Sequence, residues 1–168
     1  MQTLSIVGDY LSSMASQAKD EEIDLFGRSA FNRYYYAVFL SVRDMLASID
    51  NRWQTQSHAA IPELLRESVV SAITKHAKSA AKNGIIGRDA AFRCCHDARN
   101  ASEQIARLME TARRIRVVAD YSREENVSVT QDGCVLSGQS LHAASQWEKR
   151  VNVYKGTLIR ISKEIALV

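Results

Sequence analysis

The sequence contains little of the material that makes turns and disulfide frameworks. One proline and seven glycines in 168 residues lead us to expect few and long secondary-structure elements. Three cysteines, two of them adjacent at Cys94 and Cys95, form a poor disulfide framework, and the reducing cytoplasm is the predicted compartment. No apolar run is long enough to span a bilayer, and residues 1–5 lack the basic and apolar regions of a signal peptide. We therefore predict no membrane partner.

The charges of the chain are nearly balanced. Lysine and arginine number 22 against 19 aspartates and glutamates, a formal net charge of +3. An excess this small indicates nucleic-acid binding only where it is concentrated in a patch. Lys75, Lys78 and Lys82 form one basic strip, and its simplest interpretation is a solvated helix face.

Several signatures of known chemistry are missing from the sequence. It has no P-loop, no Gly-x-Gly-x-x-Gly and no Gly-x-Ser-x-Gly, which argues against the common nucleotide folds and hydrolases. Cys94-Cys95-His96 invites a metal site, but adjacent helical residues point apart and no second ligand pair follows. We predict no metal and no cofactor, and we expect Cys94 to be a packed thiol.

Hydrophobic spacing predicts an all-α fold, an antiparallel up-and-down bundle of about five helices in a single domain, residues 1–168. Residues 126–138 alternate around Asp132-Gly133, which is typical of a small β-hairpin and suggests an insertion in the bundle. The predicted helices are Leu4 to Lys19, Asp20 to Ile49, Pro62 through Ala81, a fourth with its seam from Ala91 to Ala119, and a last one from Ser140 to Ile165.

Two predicted helices have apolar stripes with alternating steps of three and four residues. Consecutive helical residues diverge by about 100°, so the run Tyr34-Tyr35-Tyr36 cannot face one way. Tyr35 lies on the stripe and is expected in the core, whereas Tyr34 and Tyr36 are expected to border a groove or a subunit interface. The stripes are Phe31, Tyr35, Val38, Val42, Met45 and Ile49 in the second helix, and Ala91, Cys94, Ala98, Ala101, Ile105, Leu108, Ala112, Ile115 and Ala119 in the fourth.

The tyrosine-bearing helix resembles the second helix of HEPN domains, which often read Ser-x-x-Tyr-Tyr-Ala-x-Phe before an aliphatic stripe. Here the corresponding residues run from Ser29 through Phe39. A second similarity is the run from Arg113 to Tyr121, since nucleotidyltransferase-associated HEPN domains commonly end a long late helix with arginine, a short spacer and Ala-Asp-Tyr. His58 resembles a third shared position, and the resemblance extends over about residues 25–165.

Ribonucleases of the HEPN family carry an Arg-x4–6-His motif on the late helix. Histidine can move a proton near neutral pH, and arginine can stabilise the charge of the phosphorane. The match in this chain, Arg52 to His58, is of a kind expected by chance and lies in a predicted loop. The late helix has Arg116, Asp120 and Tyr121 but no histidine. In a divergent ribonuclease, Arg116 or Arg113 would stabilise the phosphorane, and Asp120, Tyr121 or His58 would move the protons.

The resemblance implies a component of a prokaryotic defence or toxin–antitoxin-type module. Such a subunit binds RNA, a nucleotide or a partner such as a nucleotidyltransferase. Because family ribonucleases work as dimers, the resemblance also implies a homodimer. The alternatives are a divergent metal-independent endoribonuclease that acts as a homodimer, and a helical adaptor without nucleotide binding. Candidate binding residues are Arg33, Tyr34, Tyr36, Arg113 and Arg114.

A structural interpretation applies to the same residues. Arg113, Arg114 and Arg116 lie in the last turns of a long helix, where cations complement the helix dipole without any ligand. Asp120 and Tyr121 can hold the end of that helix to a neighbour. The sequence leaves both interpretations open.

Overall fold

The computed structural model describes residues 4–19, 21–131 and 133–167. It is mostly helical, with a small antiparallel sheet towards the C-terminal side, as the hydrophobic spacing predicts. The helices are α1 (Leu4–Gln17), α2 (Glu21–Ile49), α3 (Ile61–Leu64), α4 (Val70–Lys82), α5 (Arg88–Tyr121), α6 (Leu141–Ser145) and α7 (Trp147–Glu164). The strands are β1 (Ser128–Thr130), β2 (Gly133–Leu136) and β3 (Gln139–Ser140).

The third predicted helix contains a feature that its sequence does not signal. A π-helical segment, Leu65–Val69, joins α3 to α4 without a break, so the helical stretch runs from Ile61 to Lys82. Pro62 lies in its first turn, where the missing N–H has no helical partner to lose. Gly84, at φ +73°, takes the left-handed conformation that ends the stretch.

The hairpin is confirmed and is larger than expected. β1 pairs antiparallel with β2, with Val129 opposite Cys134, and β2 pairs in turn with β3. The predicted turn residue Asp132 lies outside the described residues. Ser137 and Gly138 both have positive φ and form the tight turn between β2 and β3, where glycine is the favoured residue.

The predicted apolar stripes form the core. All six stripe residues of α2 and all nine of α5 are less than 9% exposed. Tyr35 is among the largest fully buried side chains, and Cys94 is a buried free thiol, as predicted. No helix within the described residues is both long and apolar enough to cross a membrane.

The contacts of the chain fall into two compact units, each built from separate stretches. Unit 1 comprises Met1–Leu40 with Glu110–Arg150, and unit 2 comprises Ser41–Met109 with Val151–Val168. In unit 1 the start of α2 runs antiparallel to the end of α5, and the sheet contacts α6 and α1. In unit 2 the first half of α5 lies beside α7, since Asp97 of α5 pairs with Arg160 of α7.

Candidate functional site

The candidate residues of unit 1 meet along one face of α2. Arg28, Asn32 and Tyr36 are four residues apart, so they share a helix face, and each contacts the last turns of α5. Arg28 donates from Nη1 to the carbonyl oxygens of Val118 and Ala119, at 3.0 and 3.1 Å. The spacing of residues in α2 therefore places Asn32 and Tyr36 against the same end of α5.

Arg116 is held by contacts on several sides. Its Nε lies 2.7 Å from Oδ2 of Asp120, and its Nη2 donates to the hydroxyl of Tyr36 at 3.4 Å. Its Cζ lies 5.9 Å from the ring centre of Tyr36 and 5.5 Å from that of Tyr121, both within range of a cation–π contact. Burial lowers the pKa of Arg116, but the charge of Asp120 and the hydroxyl of Tyr36 outweigh it, so the pKa is raised overall.

Asp120 is engaged through both of its carboxylate oxygens. Oδ2 faces Arg116, and Oδ1 accepts a hydrogen bond from Nδ2 of Asn32 at 2.6 Å. Because Arg116 and Asp120 are four residues apart on one helix, their pairing follows from the geometry of α5 alone. Tyr121 is 68% exposed, so one face of its ring is available to a ligand.

Tyr36 contacts two guanidinium groups. Cζ of Arg33 is 6.0 Å from the ring centre of Tyr36, and Cζ of Arg116 is 5.9 Å from the same ring centre. No carboxylate within the described residues forms an ion pair with Arg33 or with the exposed Arg113. We call Asn32, Arg33, Tyr36, Arg116, Asp120 and Tyr121 the arginine–tyrosine cluster.

Tyr34 is more deeply buried than the prediction of a groove or interface residue implies. It is 2% exposed, because its ring packs on Gly8 of α1 and its hydroxyl donates to Asp9 at 2.9 Å. Burial and this hydrogen bond raise the pKa of Tyr34. Its polar edge borders a cavity of about 310 Å³, whereas its ring belongs to the core.

The neighbouring candidate residues have separate environments. Burial raises the pKa of Tyr35 to about 12, although Arg116 and Arg113 act to lower it. Arg114 is exposed, and its Nη1 approaches Oγ of Ser137 at 3.4 Å, which connects α5 to the hairpin turn. The predicted hairpin insertion thus contacts the arginine-rich end of α5.

His58 belongs to unit 2, where it lies half-buried in the turn before α3. The arginine–tyrosine cluster belongs to unit 1 and contains no histidine. From the basic strip of the third predicted helix, Lys78 and Lys82 line a cavity of about 650 Å³ in unit 2.

Two contributors to the site escape reasoning from the sequence. Arg28 and Asn32 have no motif of their own, and their partners in α5 are 88 to 91 residues away in the chain. Their spacing from Tyr36 is the signal that places them on one face of α2.

We compared the chain with known protein families, curated proteins and solved structures. No known protein family, no curated protein and no solved structure matches the chain. The resemblance to HEPN domains is one of sequence, in the tyrosine-bearing helix, the run from Arg113 to Tyr121, and His58.

Proposed function

We propose that this chain is a HEPN-like subunit of a prokaryotic defence or toxin–antitoxin-type module, and that it binds RNA through the arginine–tyrosine cluster and Arg113. The observation that carries the proposal is the pair Arg33 and Arg113, two guanidinium groups without carboxylate partners among the described residues. Such groups are suited to phosphate oxygens, because guanidinium binds them with charge-assisted hydrogen bonds.

The aromatic members of the cluster fit the same ligand. Tyr121 is 68% exposed and lies on one side of Arg116. Bases of single-stranded RNA stack on exposed aromatic rings while cations follow the backbone. Tyr121 therefore offers an exposed ring for a base, and Arg33 and Arg113 offer guanidinium groups without carboxylate partners for phosphates.

The contacts of Asp120 favour binding over cleavage. A general base must reach the proton that it removes, yet both oxygens of Asp120 are engaged, with Arg116 and with Asn32. Histidine, the usual group for this step at neutral pH, is absent from the cluster. In this proposal the chain binds RNA without cleaving it, and any catalysis is carried out by a partner such as a nucleotidyltransferase.

The test is RNA binding by fluorescence anisotropy, with a labelled single-stranded oligonucleotide at several salt concentrations. Arg33→Ala/Arg113→Ala should weaken binding and lower the slope of log affinity against log salt by about 0.7 for each phosphate that the protein no longer binds. Lys149→Ala/Arg150→Ala is the matched control, since it also removes two cations, at exposed positions outside the cluster, and should leave affinity unchanged.

The same RNA should remain intact during the assay. A wild-type protein that binds no RNA at low salt would contradict the proposal. RNA cleavage by the wild type that disappears in Asp120→Ala would also contradict the proposal, because it would place catalysis in the cluster.

A further inference from the structure

A cavity of about 650 Å³ lies in unit 2, between α4 and the start of α5. Thr74, Lys78 and Lys82 line it from α4 at intervals of four residues, which places them on one helix face. Arg88, Phe92 and Arg99 line it from α5, again along one face. The volume is within the range of small-molecule sites in proteins.

The rim of this cavity is basic. Four cationic side chains line it, and no aspartate or glutamate does. Within the part of the chain described by the structure, none of the four has an ion-pair partner. A local excess of four charges exceeds the net +3 of the whole chain, so the cavity concentrates positive charge. The four are Lys78, Lys82, Arg88 and Arg99.

Apolar side chains also line the cavity, together with one buried polar atom. Phe92 is 76% exposed, an unusual position for a large aromatic side chain. The small side chains of Ala81 and Ala91 leave the space beside it. Oγ1 of Thr74 is buried and has no hydrogen-bond partner, so it can pair with a polar group of a bound molecule.

We propose that this cavity binds a nucleotide, with the base stacked on Phe92 and the phosphates held by the surrounding cations. Cations without carboxylate partners supply phosphate recognition, and an exposed ring beside them supplies base recognition. A plain anion site would not need the ring, and an apolar ligand would not need the four charges. The site shares no residue with the arginine–tyrosine cluster, so it does not depend on the proposed function of unit 1.

The nucleotide bound in this cavity can be a free nucleotide or one nucleotide of an RNA chain. Isothermal titration calorimetry of the whole protein with ATP, adenosine, inorganic triphosphate and a short oligoadenylate distinguishes these sources. We expect ATP to bind, with adenosine and triphosphate each at least about tenfold weaker, because each lacks one of the two recognised parts. Tighter binding of the oligoadenylate that persists in Arg33→Ala/Arg113→Ala assigns the site to RNA, and tighter binding of ATP assigns it to a free nucleotide.

Two variants with matched controls locate the binding. Phe92→Ala should weaken ATP binding by about tenfold, whereas Val153→Ala, which also trims a residue that is 68% exposed, should not. Lys78→Glu should weaken ATP binding, and Lys163→Glu, at an exposed lysine outside the cavity, should not. All four positions are exposed, so circular dichroism should show folded variants.

Three results would overturn the proposal. No ATP binding at millimolar concentration is one, and unchanged binding in both Phe92→Ala and Lys78→Glu is another. The third is a change of molecular mass in light scattering for Phe92→Ala without any nucleotide effect, which would assign the exposed ring to a protein contact.

Discussion

Gly8 of α1 lies directly against the ring of Tyr34 in α2. A Cβ at Gly8 would be 2.6 Å from Cε1 and 2.7 Å from Cδ1 of that ring. The ring is buried, and its hydroxyl is bonded to Asp9, so it has little freedom to move aside. The absence of a side chain at Gly8 is therefore what lets α1 cover this face of α2.

Gly8→Ala should destabilise the protein by about 1–3 kcal/mol, the usual cost of overpacking a filled core. Gly156→Ala is the matched control, because it is also a helical glycine but its Cβ would meet nothing within 4 Å. There alanine should stabilise by about 0.5–1 kcal/mol through its higher helix propensity. Urea unfolding midpoints of both variants measure the contrast, and equal shifts of the same sign would disprove the packing argument.

Arg28 holds the end of α5 and the segment that follows it. Besides Val118 and Ala119, it donates to the carbonyl oxygen of Glu125. Arg28→Ala should cost about 1–3 kcal/mol, since carbonyl groups at the helix end lose their donor. Hydrogen exchange should accelerate at residues 123–127. Arg33→Ala, one turn and a residue later, removes no such donor and should leave exchange there unchanged.

Asp120→Asn tests the role of the carboxylate beside Arg116. Removing its charge releases Arg116 from its ion pair, so RNA affinity at low salt should rise. The salt slope should steepen by about 0.7, the value for one further phosphate contact with a single strand. Protein stability should fall by about 1 kcal/mol, because a partly buried guanidinium loses its partner. Weaker RNA binding in anisotropy would contradict this role.

Glu103 makes stability depend on pH in the acid range. Hydrogen bonds from Arg66 and Arg107 lower the pKa of Glu103 from 4.5 to about 2. A carboxyl whose pKa is lower in the folded state stabilises the protein above its unfolded value, and this contribution is lost as the pH falls through the folded value. The difference in unfolding midpoint between wild type and Glu103→Gln should be largest at neutral pH and should shrink from about pH 4.5 towards pH 2.

Glu67→Gln is the control for this titration, since Glu67 is exposed and has no ion-pair partner among the described residues. Its difference from wild type should stay nearly constant over the same pH range. A constant difference for Glu103→Gln as well would show that its two arginine contacts do not persist in solution.

The periodicity of the sequence predicted the core well, because burial of one helix face leaves a direct mark on residue spacing. The same spacing places Tyr35 and Cys94 in the core, where both residues lie. It does not place Tyr34 there, since the burial of this residue depends on a second covering helix and on the absence of a side chain at Gly8. Such a partnership between distant residues has no periodic signature.

The candidate site divides in the same way. The Arg116–Asp120 pair follows from helix spacing and could be inferred from the sequence. The bond from Asn32 to Asp120 joins residues 88 positions apart and required the fold. From the sequence alone, the basic strip with Lys78 and Lys82 has the pattern of a solvated helix face. Only the fold shows that Arg88, Phe92 and Arg99 of α5 line the same cavity.

The π segment Leu65–Val69 sets the angular phase of the helix that follows it. A π turn holds one residue more than an α turn, and each α-helical residue advances by about 100° around the axis. The extra residue of the π segment, at least five positions before Thr74, therefore decides that Thr74, Lys78 and Lys82 face α5. Shortening the segment by one residue would turn these lysines away from Phe92 while every residue of the cavity stayed in the chain.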